Sequence, residues 1–353
     1  MSAPLLVQAL TRQPLIRPPV WLMRQAGRYL PEYQAIRAQF PNFIQFCLTP
    51  DAATEVTLQP ITRFGMDAAI IFADILTIPH ALGHKVTFTK GYGPQVQPFT
   101  QASQLAGLTE HLISLPVTLA PVSQTVRQVR AALPADKAVI GFSGGPFTLA
   151  CYMLDKKPSA GIPNTLHLAE EDPATFRALL ATLTSACTTY LSQQIQAGAN
   201  AVQVFESWAL ACPDYLWSIA VEAPLLAIGQ ALHNKHPTTP VILFPRGSSP
   251  LQLQQLAGQA AGAFHGLSLF TDVSMPWACQ TLQPKIALQG NLDPLLTEGD
   301  PAPLTAALTT LLNTAAINPG YVVNLGHGLT PQTRPDNVLR LVETVKAWQP
   351  PQN

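Results

Sequence analysis

Arg24 and Arg28 flank Gln25 and the small pair Ala26-Gly27, directly after a short apolar run, Pro19-Val20-Trp21-Leu22-Met23. An arginine fork binds a carboxylate or phosphate bidentately. A strand ending in Arg24-Gln25-Ala26-Gly27-Arg28 would therefore present two forks beside flexible backbone, an anion clamp; the plainer alternative is two solvated surface charges. Asp74 is a lone acid in an apolar stretch, Ile70-Ile71-Phe72-Ala73-Asp74-Ile75-Leu76. Burying a carboxylate unpaired costs several kcal/mol, so Asp74 needs donors from backbone or ligand, unless it simply caps a helix. His327 stands between Gly326 and Gly328, which allow close backbone approach, with a hydrogen-bonded structural histidine as the alternative. Tyr152, Ser207 and Arg37 are further polar candidates, each with a bland counterpart: core tyrosine, helix cap and helix surface. Ser143-Gly144-Gly145 could cradle a phosphate at a helix N-terminus, a weak signal because no Gly-Lys-Ser/Thr follows.

Composition narrows the partners. The chain has 353 residues, 47% of them hydrophobic and 11% charged, with a net charge of +0. Charged residues make up roughly 25% of an ordinary domain. No global field would draw this chain to nucleic acid or an anionic membrane; an anionic ligand has to be held by a few local arginines. The five cysteines are scattered, with no Cys-x-x-Cys, which predicts neither a disulfide framework nor a zinc knuckle. The N-terminus lacks a signal-peptide pattern and no apolar run approaches the roughly 20 residues of a membrane helix, so a cytoplasmic protein is expected. The histidines show no His-x-Cys spacing, and no metal site is expected.

The elements that must carry these residues follow from hydrophobic runs. Eight short β-like runs occur: Val20–Met23, Ala68–Phe72, Ala138–Phe142, Ala201–Phe205, Val241–Phe244, Gly266–Phe270, Ile286–Gln289 and Tyr321–Asn324. They are almost wholly apolar rather than alternating, as parallel strands buried on both faces are. Helical patterns lie between them. Thr49-Pro50-Asp51 reads as a helix start and Gly65 as its stop; Asp172-Pro173 opens a helix that Gly198 can end. Val338, Leu341, Val342 and Val345 form an amphipathic stripe. A long loop and a helix are expected in the Pro94–Leu133 region. Strand–helix alternation with a count of eight predicts an α/β fold, a single (β/α)8 TIM-type barrel over residues 1–353, with flexible ends at 1–14 and 349–353. Its active-site cleft would lie at the C-terminal ends of the strands, where Arg24, Arg28, Asp74, Glu206, Ser207, Arg246, Asp272 and His327 fall.

Several long motifs then carry a resemblance. Trp21 to Glu32 and Gly141 to Leu149 resemble two signatures of the uroporphyrinogen decarboxylase family. Asp67 to Leu76, Ala287 to Pro294 and Asn324 to Gly328 match further motifs in the same order. The resemblance implies a single-domain barrel, a homodimer, no cofactor, and conversion of uroporphyrinogen III to coproporphyrinogen III with loss of four CO2. It implies substrate contacts from Arg24, Gln25, Ala26, Gly27, Arg28, Arg37, Asp74, Tyr152, Ser207 and His327. Asp74 would stabilise the transition state, with Arg28, Tyr152 and His327 as catalytic partners. Two groups are candidates to deliver the proton: His327, whose ordinary pKa suits the task, and an arginine beside the leaving carboxylate. One segment departs from the family pattern: where the family reads close to Leu-Asp-Trp-Thr, this chain has Leu269-Phe270-Thr271-Asp272. Rival readings are a zinc- or corrinoid-type methyltransferase of the same superfamily and a non-catalytic tetrapyrrole carrier.

Overall fold

Seven of the eight apolar runs become strands of one parallel sheet in the computed structural model, which describes residues 3–89 and 93–351. They are β1 (Ala68–Ile70), β2 (Ala138–Gly144), β3 (Ala201–Glu206), β4 (Val241–Pro245), β5 (Gly266–Ser268), β6 (Ala287–Gln289) and β7 (Tyr321–Val322), paired in chain order. The sheet is laddered through registers such as Ala68↔Ala138, Ile140↔Ala201 and Leu288↔Tyr321. Helices connect the strands, and residues from both sheet faces are buried, which explains the absence of polar alternation.

The first run corrects the expectation. Val20–Met23 is not a strand of the ladder; Val20 makes one isolated parallel bridge to Val323. Pro18 and Pro19 have no N–H to donate, and the chain leaves the extended region at Arg24, whose φ is +61°. The segment nevertheless lies between the two edges of the sheet. Val323 N donates to Pro19 O (2.9 Å), Trp21 N to Val323 O (3.4 Å) and Asp67 N to Val20 O (2.9 Å). Side chains reinforce this seam. Asp67 accepts from Arg17 (2.7 and 3.0 Å) and from Val20 N (2.9 Å). Burial pushes the Asp67 carboxyl up, but these donors and Lys137 hold it below its ordinary value. Inside the sheet's curve, Trp21 Nε1 donates to Gln289 Oε1 (2.9 Å), and Gln289 Nε2 donates to Gln203 Oε1 (2.9 Å) and Ser268 Oγ (3.0 Å).

The N-terminal residues also differ from expectation. A helix over Leu5–Leu10 buries Leu6, Ala9 and Leu10 against Trp21, Ala68, Ala138, Ile242 and Val322. Burying these apolar side chains together closes that end of the sheet's interior. The expected helices form at Pro50–Phe64, Pro173–Gln196 and Pro335–Ala347, the last with Val338, Leu341, Val342 and Val345 buried. Two helical stretches, Gln104–Ala132 and Asp214–Lys235, do reach the length and hydropathy of a membrane span. Both send residues into the core, among them Leu108, Leu115, Val126, Leu225 and Ile228. The sequence reading missed an antiparallel hairpin, Val86–Thr89 with Gly93–Val96, before the Pro94–Leu133 region, which holds two helices. The far tail, residues 352–353, lies outside the described residues.

Candidate active site

A cleft of about 970 Å³ opens at the C-terminal ends of the strands, at the upper end of ordinary ligand-site volumes. All ten residues singled out above line it: Arg24, Gln25, Ala26, Gly27, Arg28, Arg37, Asp74, Tyr152, Ser207 and His327. Residues separated by 300 positions in sequence meet because the Arg24–Arg28 loop, held at the seam of the sheet, faces the chain that follows several different strands.

The arginine loop is built from a strained turn. Arg24 holds a left-handed backbone, a conformation costing roughly 1–2 kcal/mol outside glycine. Three contacts over-determine it. Met23 N donates to Asn324 Oδ1 (3.0 Å), Gln25 Nε2 donates to Ala68 O (3.1 Å), and Leu22 N donates to Gln25 Oε1 (3.1 Å). Gln25 is 1% exposed, so its side chain pins the loop to β1 and does not reach into the cleft; only its main chain is available there. Gly328 lets the Arg24 side chain pass, since a Cβ there would lie 2.6 Å from Arg24 Cγ. Burial lowers the Arg24 pKa, Arg28 adds to this, and Asp74 opposes it.

Asp74 follows β1 at the start of the helix Thr77–Ala81. Both readings of it hold in part: Oδ1 accepts from Leu76 N (2.8 Å) as a turn cap, while the carboxyl also lines the cleft. It sits deep in the molecule yet keeps some surface open to the cleft. Burial raises its pKa to about 6, against the Leu76 N–H and Arg24, which lower it. His327 accepts from Gly328 N at Nδ1 (2.8 Å), which places the neutral ring's proton on Nε2. Burial, then Arg24 and Arg246, lower its pKa to about 4. At neutral pH it is an uncharged hydrogen-bond donor, which corrects the expectation of an ordinary histidine acid. Tyr152 packs edge-on to Trp208, ring centres 6.2 Å apart, and burial raises its pKa. Arg37 is partly buried over the Phe43 ring at 5.5 Å, and its guanidinium donates to Phe40 O.

The phosphate-cradle expectation fails here. The glycine run after β2 cradles no external anion: Glu206, fully buried at the end of β3, occupies the N-terminus of the helix Pro146–Asp155. Its carboxylate accepts from Phe147 N (3.2 Å), Thr148 N (2.5 Å) and Thr148 Oγ1. A Cβ on Gly145 would lie 2.6 Å from Glu206 Cδ, so the glycine is there for this internal acid. Burial raises the Glu206 pKa to about 7 while the Thr148 hydroxyl and the two amides oppose it. Gly141-Phe142-Ser143-Gly144-Gly145 also has the spacing of a serine-nucleophile elbow, but Ser143 is fully buried within β2 and has Cys187 beside it. Asp272 does not replace the acid missing from position 270, for it is exposed and makes no ion pair among the described residues. His80 and His84 stand in His-x-x-x-His spacing, yet the helix ends at Ala81 and His84 Nδ1 is bonded to Gln97 O (2.7 Å). No group of three or more metal-ligating side chains occurs among the described residues.

The cleft's apolar wall went unread in the sequence although a signal was present. Five of the β-like runs end on phenylalanine, and four of these residues, Phe72, Phe142, Phe205 and Phe244, line the cleft. Phe142–Phe205 and Phe205–Phe244 meet edge-to-face at 5.5 and 6.0 Å. Phe43 and, from the hairpin, Phe88 complete a wall fit for a flat ring system.

Comparison with known proteins bears on this arrangement. In structure, the chain is similar to a methyltransferase from Methanosarcina mazei, with a TM-score of 0.80 at 19% identity, covering 98% of this chain and 99% of that one. A B12-independent methionine synthase from Shewanella sp. W3-18-1 gives 0.53 at 11% identity, covering 84% and 87%. These are likenesses of fold. In sequence, the uroporphyrinogen decarboxylase (URO-D) family model matches residues 1–348. The uroporphyrinogen decarboxylase of Rhodospirillum rubrum is 43% identical over 342 residues, 97% of this chain and 96% of that protein. That of Paracoccus denitrificans is 41% identical over 348 residues, 98% of this chain and 100% of the other. With both the family model and these relatives matched across nearly the full length, the chain belongs to the uroporphyrinogen decarboxylase family.

Proposed function

We propose that this chain decarboxylates the four acetate side chains of uroporphyrinogen III to methyls, giving coproporphyrinogen III in heme biosynthesis. The observation that carries this is Asp74: a single carboxylate beside Arg24, deep in an aromatic-walled cleft and capped on one oxygen by a backbone N–H.

The chemistry suits the residues. Protonating the pyrrole at a ring carbon makes a cationic electron sink. The acetate's C–C bond to its carboxylate then breaks, its electron pair neutralises the ring, and CO2 leaves. Protonation of the exposed carbon and loss of the ring proton give the methyl. The substrate is its own electron sink, so no cofactor is invoked. Asp74 accepts the pyrrole N–H groups and stabilises the cation, which exists only along the reaction path. Arg24, Arg28 and Arg37 hold substrate carboxylates, each charge-assisted bond contributing on the order of 1.5–3 kcal/mol. His327, neutral, donates through Nε2 to a carboxylate, and Tyr152 and Ser207 hydrogen-bond to substrate side chains. Of the two proton donors considered, the arginine is favoured, because burial makes Arg24 a better acid than arginine in water, whereas His327 at neutral pH lacks the imidazolium proton that would make it an acid.

The same reading takes the whole chain as one barrel domain. Support for an eighth position in the closed ring comes from Val20, whose own carbonyl accepts from Asp67 N just before β1 and whose neighbours Pro19 and Trp21 bond to Val323 just after β7. A cytoplasmic homodimer completes it. Anaerobic incubation of the purified chain with uroporphyrinogen III, followed by oxidation and chromatography of the porphyrins, tests the activity. Coproporphyrin is the expected product; recovery of unchanged uroporphyrin from folded protein overturns the proposal. Sedimentation velocity checks the dimer.

A further inference from the structure

Arg246 has no place in the site described above, yet it stands beside it. It follows β4, and its backbone N donates to Phe244 O (3.1 Å) and Glu206 O (3.2 Å), which fixes where the side chain begins. Its guanidinium carbon lies 5.9 Å from the Trp208 ring centre and 5.4 Å from that of Phe270. Trp208 is edge-on to Tyr152, and Phe270 is edge-on to His327 at 6.3 Å. Trp208, Arg246 and Phe270 thus link Tyr152 to His327, the two of the five that line the cleft. Asn291 holds the Phe270 end of that link, donating to Phe270 O (2.9 Å) and Val273 O (2.7 Å).

What the guanidinium lacks is an anion. The ion pairs of the described residues are Arg17–Asp67, Lys137–Asp67 and Arg63–Glu32. Its Nε is buried with no hydrogen-bond partner. Its neighbours in charge are another cation, Arg24, and Tyr152. Position 270 is phenylalanine, so on that side the guanidinium meets an apolar ring face and no counter-charge. A planar cation held by aromatic faces keeps its N–H edge free for a carboxylate. A carboxylate between Arg24 and Arg246 would also relieve the repulsion between them.

We propose that Arg246 binds one carboxylate of the substrate, gripping the macrocycle from the Trp208–Phe270 side while the Arg24–Arg28 loop holds it from the other. This rests on the function proposed above and assigns it a further binding residue. The test uses the full chain as wild type, Arg246→Met and Arg246→Lys, with thermal midpoints measured to confirm folding. In anaerobic turnover of uroporphyrinogen III, Arg246→Met should raise KM about tenfold or more, the effect of one charge-assisted pair. Its kcat should fall less than about threefold, and Arg246→Lys should recover part of the lost affinity. Equilibrium binding of uroporphyrin, read by fluorescence, provides an arm that needs no turnover. Wild type that binds but does not convert sinks the decarboxylase reading and leaves the role of Arg246 standing if Arg246→Met binds tenfold more weakly. Equal affinity of wild type and Arg246→Met, or a lower kcat with unchanged KM, overturns the role. Should Arg246→Met not fold, Arg246→Lys alone decides: wild-type KM and affinity would overturn it, a several-fold loss in both would support it.

Discussion

Replacing Asp74 with asparagine separates what the carboxylate does for the reaction from what it does to the fold. The amide keeps the shape and can still accept from Leu76 N, but it cannot carry charge. Burial raises the Asp74 pKa to about 6 from 3.8. A rise of that size corresponds to roughly 3 kcal/mol. Because the folded value lies above the unfolded one, the folded state takes up the proton first. The penalty is therefore complete above pH 7 and fades as pH falls from about 6 toward 4. Water reaching the cleft makes 3 kcal/mol an upper figure. Asp74→Asn should then be more stable than wild type at pH 8 by up to that amount, about 4 °C in midpoint for a chain of this length. The gain should fall to about a third of that by pH 4.5 and vanish only below the unfolded value of 3.8. Activity should move the other way. Losing a preorganised charge that meets the developing cation should lower kcat by about 100- to 1000-fold or more, by analogy with removing one oxyanion-hole donor. Scanning calorimetry at pH 8 and pH 4.5, with anaerobic kinetics on the same samples, provides both readings. Near wild-type turnover refutes the role assigned to Asp74, and a variant less stable than wild type at pH 8 refutes the desolvation reasoning.

Three other outcomes are expected. Gly328→Ala should displace Arg24, with a loss of about 1–3 kcal/mol in stability and a rise in KM, both read in the same assays; unaltered kinetics would mean the Arg24 path is not confined. Glu206→Ala leaves two amides and a hydroxyl without their acceptor and should cost about 3 kcal/mol or more, measured by urea unfolding at pH 8. NMR titration should find His327 neutral down to about pH 4, and the pH–rate profile should show no limb near 6.5 belonging to it; a His327 value near 6.5 would restore it as a proton source.

Much of the fold was legible because burial on both faces leaves a plain mark: the apolar runs Ala138–Phe142 and Val241–Phe244 alone located the strands Ala138–Gly144 and Val241–Pro245. The site was legible for a related reason. In a parallel sheet the polar residue after each apolar run has one place to go, so Arg24, Asp74 and His327 could be brought together without coordinates. What escaped depended on tertiary partners. Glu206 reads as a rim acid by position, but only the backbone amides of Phe147 and Thr148 reveal that it faces inward. Gln25 lies within the clamp motif, yet its side chain serves Leu22 and Ala68. The Val86–Val96 hairpin is short, and a two-stranded pairing carries little hydrophobic signal of its own. The N-terminal helix is six residues long, below the length at which periodicity speaks.

The seam at Val20 has a consequence for how this chain tolerates change. Elsewhere in the sheet, backbone ladders hold neighbouring strands, and a ladder is indifferent to side-chain identity. Between β7 and β1 the ladder is thin, and the joint is made by Arg17, Trp21, Gln25, Asp67, Gln289 and Asn324. Those side chains also aim the loop that carries the arginines. Substitutions outside the cleft lining, at Asp67 or Gln289, should therefore register as changes in ligand grip, whereas equivalent substitutions under the laddered strands should register as stability alone. The part of the architecture with the fewest generic bonds is where the sequence has the least freedom to drift.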